Sequence, residues 1–570
     1  MRERAVPVLW AGVLALLMLG PASGAGFVLS YDMVWVPDLA LTRDVLGMGS
    51  GLPRAVPSDA VVAVVDEVVP GMLTQKIALV GALVLAGSGA AELVRDRSLV
   101  ARMAVVSLVV WSPYVAERLW MGHWPMLLAY AAVPWLVVAG RRWAAGERHR
   151  WWTLPVLLVG SLSASAGIVA GAVLLATGLR RGRGPVRLLA MVAAVNAPWL
   201  VTGLTHAGEA AAATGFEVFA LRGDALPAPL AALTLGGIWN TSVVPASREG
   251  WLAWVALLVL IALVAAGLRR WWTADGQRIA ILVLWASGLA IALAGWAAPS
   301  ALETIAQGLP GLALLRDSSR LLPLCLPLLV LTVAAGVDTV GQKVDEKMGP
   351  RPRGTAPRWA AAVVVVLAPI AVLPDAAWGL AGGIGAADYP AKWRQASETL
   401  EKQPDTGDVL VLPWSAYRAP AWNEDRPVLD PLPRMLTRTS VINGDLVIGR
   451  TTIAGEDPRA AQAAEALAAP DPQRRAEALR SLGIAYVITD LTAGEAPQVA
   501  GETVYDEGGL LLRRLPATSG AMTGYSVGPV TLAAVVGAWA AYVLLWLIAT
   551  TSTVLLLIST VRRLAARVPG

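Results

Sequence analysis

The feature that most constrains this chain is the recurrence of apolar runs of about 15–25 residues, each closed by a short charged cluster. Such a run matches the hydrocarbon core of a bilayer, roughly 30 Å thick, and a helix there satisfies its own backbone. The clusters are mostly basic: Arg95-Asp96-Arg97, Arg141-Arg142, Arg180-Arg181-Gly-Arg183, Arg269-Arg270 and Arg562-Arg563. Of 570 residues, 56% are hydrophobic and only 15% charged, where a soluble chain carries roughly 25% charged residues. The expected fold is an α-helical polytopic membrane protein with about 12 transmembrane helices and a C-terminal extracytoplasmic α/β domain.

The net charge of +5 does not point to nucleic acid, because the basic residues sit beside the spans, where they set topology and meet lipid headgroups. A single cysteine, Cys325, excludes an intramolecular disulfide and a cysteine metal site. The N-terminus has the small residues of a signal peptide at 21–26, but the apolar run continues to Ser30, so an uncleaved first helix is expected.

Placing basic clusters inside gives one consistent path. Spans are expected near 7–29, 73–94, 99–112, 125–140, 187–204, 251–268, 278–296, 320–338, 359–375 and 527–560. Residues 152–179 have basic flanks at both ends, which fits two short helices hinged at 161–167 better than one span. A transmembrane domain therefore covers 1–375, with outer loops at 30–70 and 205–250. A soluble α/β domain covers 376–526, and 527–570 holds the last helix and a cytoplasmic tail. Both termini face the cytoplasm. Within 376–526, residues 408–413 and 485–489 read as strands, 458–482 as an Ala-rich helix ending at Gly483, and 502–514 as a hairpin turning at Glu507-Gly508-Gly509.

Ionisable residues at the outer membrane boundary are the candidate site. Asp32 follows the first span beside Tyr31 and Trp35, placed to take a proton from a hydroxyl arriving from water; the alternative is an interfacial carboxylate without a role. That alternative is favoured for Asp38, Asp44 and Asp59. Glu117, Arg118 and His123 load one short turn with three titratable groups, suited to holding a phosphate, or else to interfacial anchoring. Arg316 and Arg320 flank Asp317 at i and i+4, a phosphate clamp or a snorkelling ring. Lys76, the Gly236–Asn240 stretch, His149 and His206 are weaker signals. Sequence motifs for ATP hydrolysis, nicotinamide binding, zinc proteolysis and serine hydrolysis are absent.

Tyr31-Asp32, Arg316-Asp317-Ser-Ser-Arg320, Val409-Leu-Val-Leu-Pro-Trp414 and Leu482-Gly-Ile-Ala-Tyr-Val-Ile488, set in this layout, resemble GT-C glycosyltransferases. The likeness is to the actinobacterial arabinofuranosyltransferase-like group and the YfhO-like membrane proteins. It implies a bacterial inner-membrane enzyme that moves a sugar from a polyprenyl-phosphate donor to an envelope glycan or lipid acceptor. Asp32 would be the catalytic base of an inverting transfer. Tyr31, Asp44, Glu117, Arg118, His123, Arg316, Asp317 and Arg320 would bind substrate, with Arg118 or Arg320 on the donor phosphate. Many members carry an adjacent acidic pair in the first loop, whereas Asp32 is single with Asp38 and Asp44 spaced out, which leaves open which carboxylate is the base and whether a divalent metal takes part; none is indicated. The competing class is a lipid or glycan flippase, transporter or envelope-assembly scaffold, which would place its polar groups at mid-membrane.

Overall fold

The computed structural model describes residues 2–147, 152–179, 184–206, 215–348, 356–449, 451–516 and 527–565. Among them, nine helices are long and apolar enough to cross a membrane: Glu3–Ser23, Gly71–Leu93, Leu99–Trp120, Trp124–Ala144, Gly184–Thr205, Trp251–Ala274, Arg278–Ala297, Ser318–Val344 and Pro529–Val554. A tenth is added if Trp359–Val372 and Pro374–Ala381, bent by 75°, form one broken span. The chain is a multi-pass membrane protein. The expectation of about 12 exceeds this by the two short helices of 152–179. These fold as Thr153–Val159 and Ala164–Gly178, the second capped by Ser163, and neither has the length of a full span. His149 and the Arg180-Arg181-Arg183 flank lie outside the described residues.

Packing sorts the helices. The Ser318–Val344 window is 94% buried within the protein, whereas that of Trp251–Ala274 is 17% buried and leaves Trp251 and Leu258 exposed for lipid. The first helix stops earlier than its apolar run suggests. Gly20, Pro21, Gly24 and Gly26 end it, and Phe27–Val28 turns extended to pair antiparallel with Ala386–Ala387. The Gln75 side chain completes that strand by bonding both the amide and the carbonyl of Val28 (2.9 and 2.7 Å).

The C-terminal region is built on a five-stranded mixed sheet. In spatial order its strands are Glu502–Glu507, Leu510–Arg514, Ile484–Asp490, Asp408–Leu412 and Ser440–Val441. Alternation along Asp408–Leu412 sends Val409 and Val411 to one face and Leu410 and Leu412 to the other. The first pair packs with Trp393, Ala396 and Leu400 of the Ala391–Glu401 helix. The second packs with Ala463, Leu467, Ala476 and Leu479 of two further helices. Those are Pro458–Leu467 and Pro472–Ser481, where a single helix was expected. Pro470 and Pro472 interrupt the run, and Asp471 caps the second helix by accepting from Gln473 and Arg474 amides.

One edge of this region reaches the membrane domain. The two-stranded ribbon of Tyr417–Arg418 and Val428–Leu429 lies against Tyr31. The Tyr31 amide donates to Pro427 O (2.7 Å), and Leu429 N donates to Tyr31 O (2.8 Å). An isolated parallel bridge of Tyr31 with Val428 thereby ties the loop after the first helix to the C-terminal region.

Candidate active site

Two turns build the site. Ser112 caps the Pro113–Trp120 helix by accepting from Val115 N, with Pro113 in the first turn. That helix delivers Glu117 and Arg118, then ends at Gly122, whose φ of +81° lets the chain turn into His123 and the next span. The second turn is Ser30–Met33, closed by Met33 N on Ser30 O (2.8 Å). The two dock directly: Ser30 Oγ donates to Trp120 O (2.6 Å), and Asp32 N donates to Met121 O (3.1 Å). Tyr31, at φ +44°, holds a backbone conformation that non-glycine residues seldom adopt, stabilised by the ribbon bonds on both sides of it.

Asp32 is thus presented with both carboxylate oxygens engaged. Oδ2 lies 3.0 Å from His123 Nε2, and Oδ1 accepts from the Tyr417 hydroxyl. The side chain stays 34% exposed, so it remains open to an incoming group. Behind it, His123 Nδ1 is 2.8 Å from Arg118 Nη1. A guanidinium can only donate, so Nδ1, which has the shorter guanidinium contact, is the acceptor and the proton sits on Nε2, directed at Asp32; the longer approach of Arg320 Nη2 to Nε2 is then a close contact and not a hydrogen bond. Arg118 is itself fixed by two bonds to Asp317 (2.8 and 3.3 Å) and one to Ser319. Arg320 Nε donates to the same Asp317 oxygen (3.0 Å), and its Nη2 lies 3.3 Å from His123 Nε2. The order is therefore Arg320 and Arg118 about Asp317, then His123, then Asp32, then Tyr417.

The electrostatics follow from burial and charge. Burial pushes the Asp32 carboxyl up, but the hydrogen bonds of His123 and Tyr417 and the Arg320 guanidinium outweigh it and hold it below its usual value. Burial, reinforced by Arg320 and Arg118, lowers His123 to about 4 against the pull of Asp32, so the imidazole is neutral. Burial also acts against the Asp317 charge, but Arg118 and Arg320 hold it firmly ionised. Burial and the Asp32 carboxylate drive the Tyr417 phenol upward, so it is a proton-bearing donor.

Other expected residues lie elsewhere. Arg316 and Arg320 do not share a helical face. Leu315 and Ser318 end and begin separate 3-10 turns, so Arg316 turns toward Glu456 (3.6 Å) and over the Phe219 ring (4.5 Å). Glu117 faces away from Asp32 and accepts from Ile238 N (3.1 Å) and Gly237 N (3.4 Å), fixing the Gly236–Asn240 loop. Asp44 lies beside Asp408, Asp457 and Arg459, where burial and the two carboxylates raise it to about 6. Asp59 pairs with Arg434 (2.6 Å), Asp38 is exposed, and Trp35 is buried against Trp124. Lys76 Nζ caps Ala22 O, and His206 bridges Thr202 O and Gly49 O. Among the described residues, no group of three or more His, Cys, Asp or Glu is placed to hold a metal ion.

Three contributors escaped the sequence reading: Tyr417, Arg54 and Glu456. Arg54 pairs with Glu456 (3.3 Å) and brings a further, largely exposed guanidinium to the Arg316 side of the site. No sequence signal marks Tyr417, an ordinary tyrosine in a proline-rich stretch.

No family model matches the sequence, and no curated protein matches it either. Solved structures do match in fold. Arabinofuranosyltransferase AftD from Mycobacteria superposes on 90% of this chain with a TM-score of 0.52 at 15% identity. A mutant form of the same enzyme covers 85% with a TM-score of 0.52 at 17% identity. This chain spans only 40% of the length of the first and 36% of the second. The likeness is one of fold: this chain shares the fold of the part of arabinofuranosyltransferase AftD on which it superposes.

Proposed function

We propose that this protein is a membrane glycosyltransferase that moves a sugar from a polyprenyl-phosphate donor to an envelope glycan or lipid acceptor on the extracytoplasmic face of a bacterial inner membrane. The observation that carries the reading is Asp32: a half-buried carboxylate at a membrane boundary, oriented on both oxygens and backed by a neutral histidine and two arginines. A structural ion pair needs no such orientation, whereas a general base does. The basic clusters support a topology with both termini in the cytoplasm, and in that topology Asp32 lies outside.

In the transfer, the acceptor hydroxyl attacks the anomeric carbon while Asp32 takes its proton. The bond from that carbon to the phosphate oxygen breaks, polyprenyl phosphate leaves with the electron pair, and the anomeric centre inverts. Arg320, 34% exposed, is the cation within reach of that phosphate, while Arg118, 1% exposed, holds Asp317 and His123 in place. The phosphate leaves without needing a strong acid, consistent with a site that offers a base and cations. The C-terminal region, joined to the Asp32 loop, is suited to presenting the acceptor. The fold likeness makes an arabinofuranosyl donor the first to try.

A second reading, lipid handling without chemistry, draws support from one feature. A mostly apolar cavity of ≈ 90 Å³ is lined by Leu108, Leu260, Leu329, Val365 and the buried Arg248. Purified wild type beside Asp32→Asn, given short-chain polyprenyl-phosphoryl sugars, separates the two. Transfer or donor hydrolysis that falls about 10²–10⁴-fold in the variant supports the transferase. Lipid binding without turnover in either protein favours the flippase or scaffold.

A further inference from the structure

The ribbon that joins the two halves of the molecule also touches the reacting carboxylate. Tyr417 begins its first strand, and Val428–Leu429, its second, grips the backbone of Tyr31 next to Asp32. The phenol and the carboxylate are 385 positions apart in sequence, yet the hydroxyl donates to Asp32 Oδ1. The other oxygen is taken by His123. Two donors from opposite sides fix the plane of a carboxylate that one donor would leave free to rotate about its Cβ–Cγ bond.

We infer that Tyr417 is a positioning residue for Asp32, so that the C-terminal region supplies a working part of the reaction centre in addition to any acceptor contacts. The turnover arm rests on the transferase reading above; the titration arm does not. The groups facing Asp32 are His123, Tyr417 and Arg320, and those facing Tyr417 are Asp32, Arg54 and Arg320. Of these, only the Tyr417 hydroxyl can be deleted while ring, backbone and every charge are kept.

The test is Tyr417→Phe in the full-length protein, with Tyr505→Phe, whose hydroxyl bonds Lys392 O, Gln395 and Glu507 of the same region, as the control. Infrared difference spectra recorded across pH, with Asp32→Asn identifying the band, follow the Asp32 carboxyl without any need for turnover. Loss of the bond is expected to move the Asp32 midpoint upward in Tyr417→Phe and to leave it in place in Tyr505→Phe. With sugar donor present, kcat is expected to fall about 10- to 100-fold, the cost of a misplaced reacting group, with donor KM unchanged. The acid limb of its pH profile should move up with the midpoint. An unmoved midpoint overturns the inference, as does a moved midpoint with unchanged kcat. A moved midpoint in a protein whose wild type turns over no donor supports the coupling and removes the transferase reading instead. If Tyr417→Phe unfolds, the same titration on Tyr417→Leu, which likewise carries no donor, decides the matter by the same criterion.

Discussion

Arg118 and Asp317, 199 positions apart, form a buried two-bond ion pair whose members are 1% and 6% exposed. Each comes from a different helix end at one membrane boundary, and the pair ties His123 to Arg320 through a shared carboxylate. A buried pair of this kind costs much of its attraction in desolvation, so its worth lies in what happens when one member is removed.

Arg118→Ala leaves Asp317 in a protein interior with one remaining cation. The expected loss is about 3–5 kcal/mol, the usual cost of orphaning one partner of a buried pair. Thermal unfolding in detergent micelles should report it, and Arg118→Ala with Asp317→Ala together should be less destabilised than the sum of the two.

His123 binds its proton less readily in the fold, at about 4 against an ordinary 6.5. Between these values the unfolded chain binds the extra proton and the folded one does not, so stability falls as pH drops through that window. Asp44 titrates in the same window with the opposite sign, so the measurement is the difference from His123→Gln, which keeps a donor and cannot titrate: the melting temperature of wild type relative to that variant should fall as pH drops from about 6.5 to about 4.

At Gly122 an added Cβ would sit 2.2 Å from Met33 N and 2.4 Å from Ser30 O, both backbone atoms of the Asp32 turn. With φ at +81° as well, Gly122→Ala is strained in its own backbone. It is expected to destabilise by about 1–3 kcal/mol and to abolish turnover, by forcing the Asp32 turn away from His123. Denaturation and activity measured on one preparation check both parts.

Arg320 reaches solvent while its partner Asp317 keeps Arg118. Arg320→Ala is therefore expected to leave folding intact and to raise donor KM about 10- to 100-fold, the value of one charge-assisted hydrogen bond. Equal KM for wild type and variant, measured by donor titration, counts against a phosphate role for Arg320.

Asp44 is raised to about 6 by burial and by Asp408 and Asp457, so its ionised form costs stability above that pH. Asp44→Asn should melt higher than wild type near pH 8, and the gain should shrink as pH falls toward 4. Turnover in Asp44→Asn should stay close to wild type, since Asp44 lies among Asp408, Asp457 and Arg459 and makes no contact with the Asp32 network.

What was legible and what was not divides along the range of the forces involved. Lipid imposes a length and an apolarity on any crossing helix, and both are local, so Gly71–Leu93 and Arg278–Ala297 fall within a residue or two of their expected bounds. The apolar strand of Val409 to Leu412 and the Gly508-Gly509 turn are equally local, and so were readable. Asp32, Arg118, His123, Asp317 and Arg320 stood out because charge at a membrane boundary is costly wherever it occurs. Their order around Asp32 was not readable. Arg316 and Arg320 have helical spacing, yet the chain between them takes 3-10 turns and parts them. Glu117 adjoins Arg118 in sequence, but neighbours on a helix point about 100° apart, and it serves a different loop.

By itself, the sequence determined that the chain crosses a membrane many times and gathers ionisable residues where its apolar runs end, since hydropathy and charge are sums over adjacent residues. Only the tertiary structure decided that Tyr417 meets Asp32, that Glu456 draws Arg316 aside, and that His123 keeps its proton on Nε2. Those outcomes depend on two hydrogen bonds and an ion pair, a few ångströms long, between residues separated by 385, 5 and 140 positions, and such contacts form only once packing has brought their partners together.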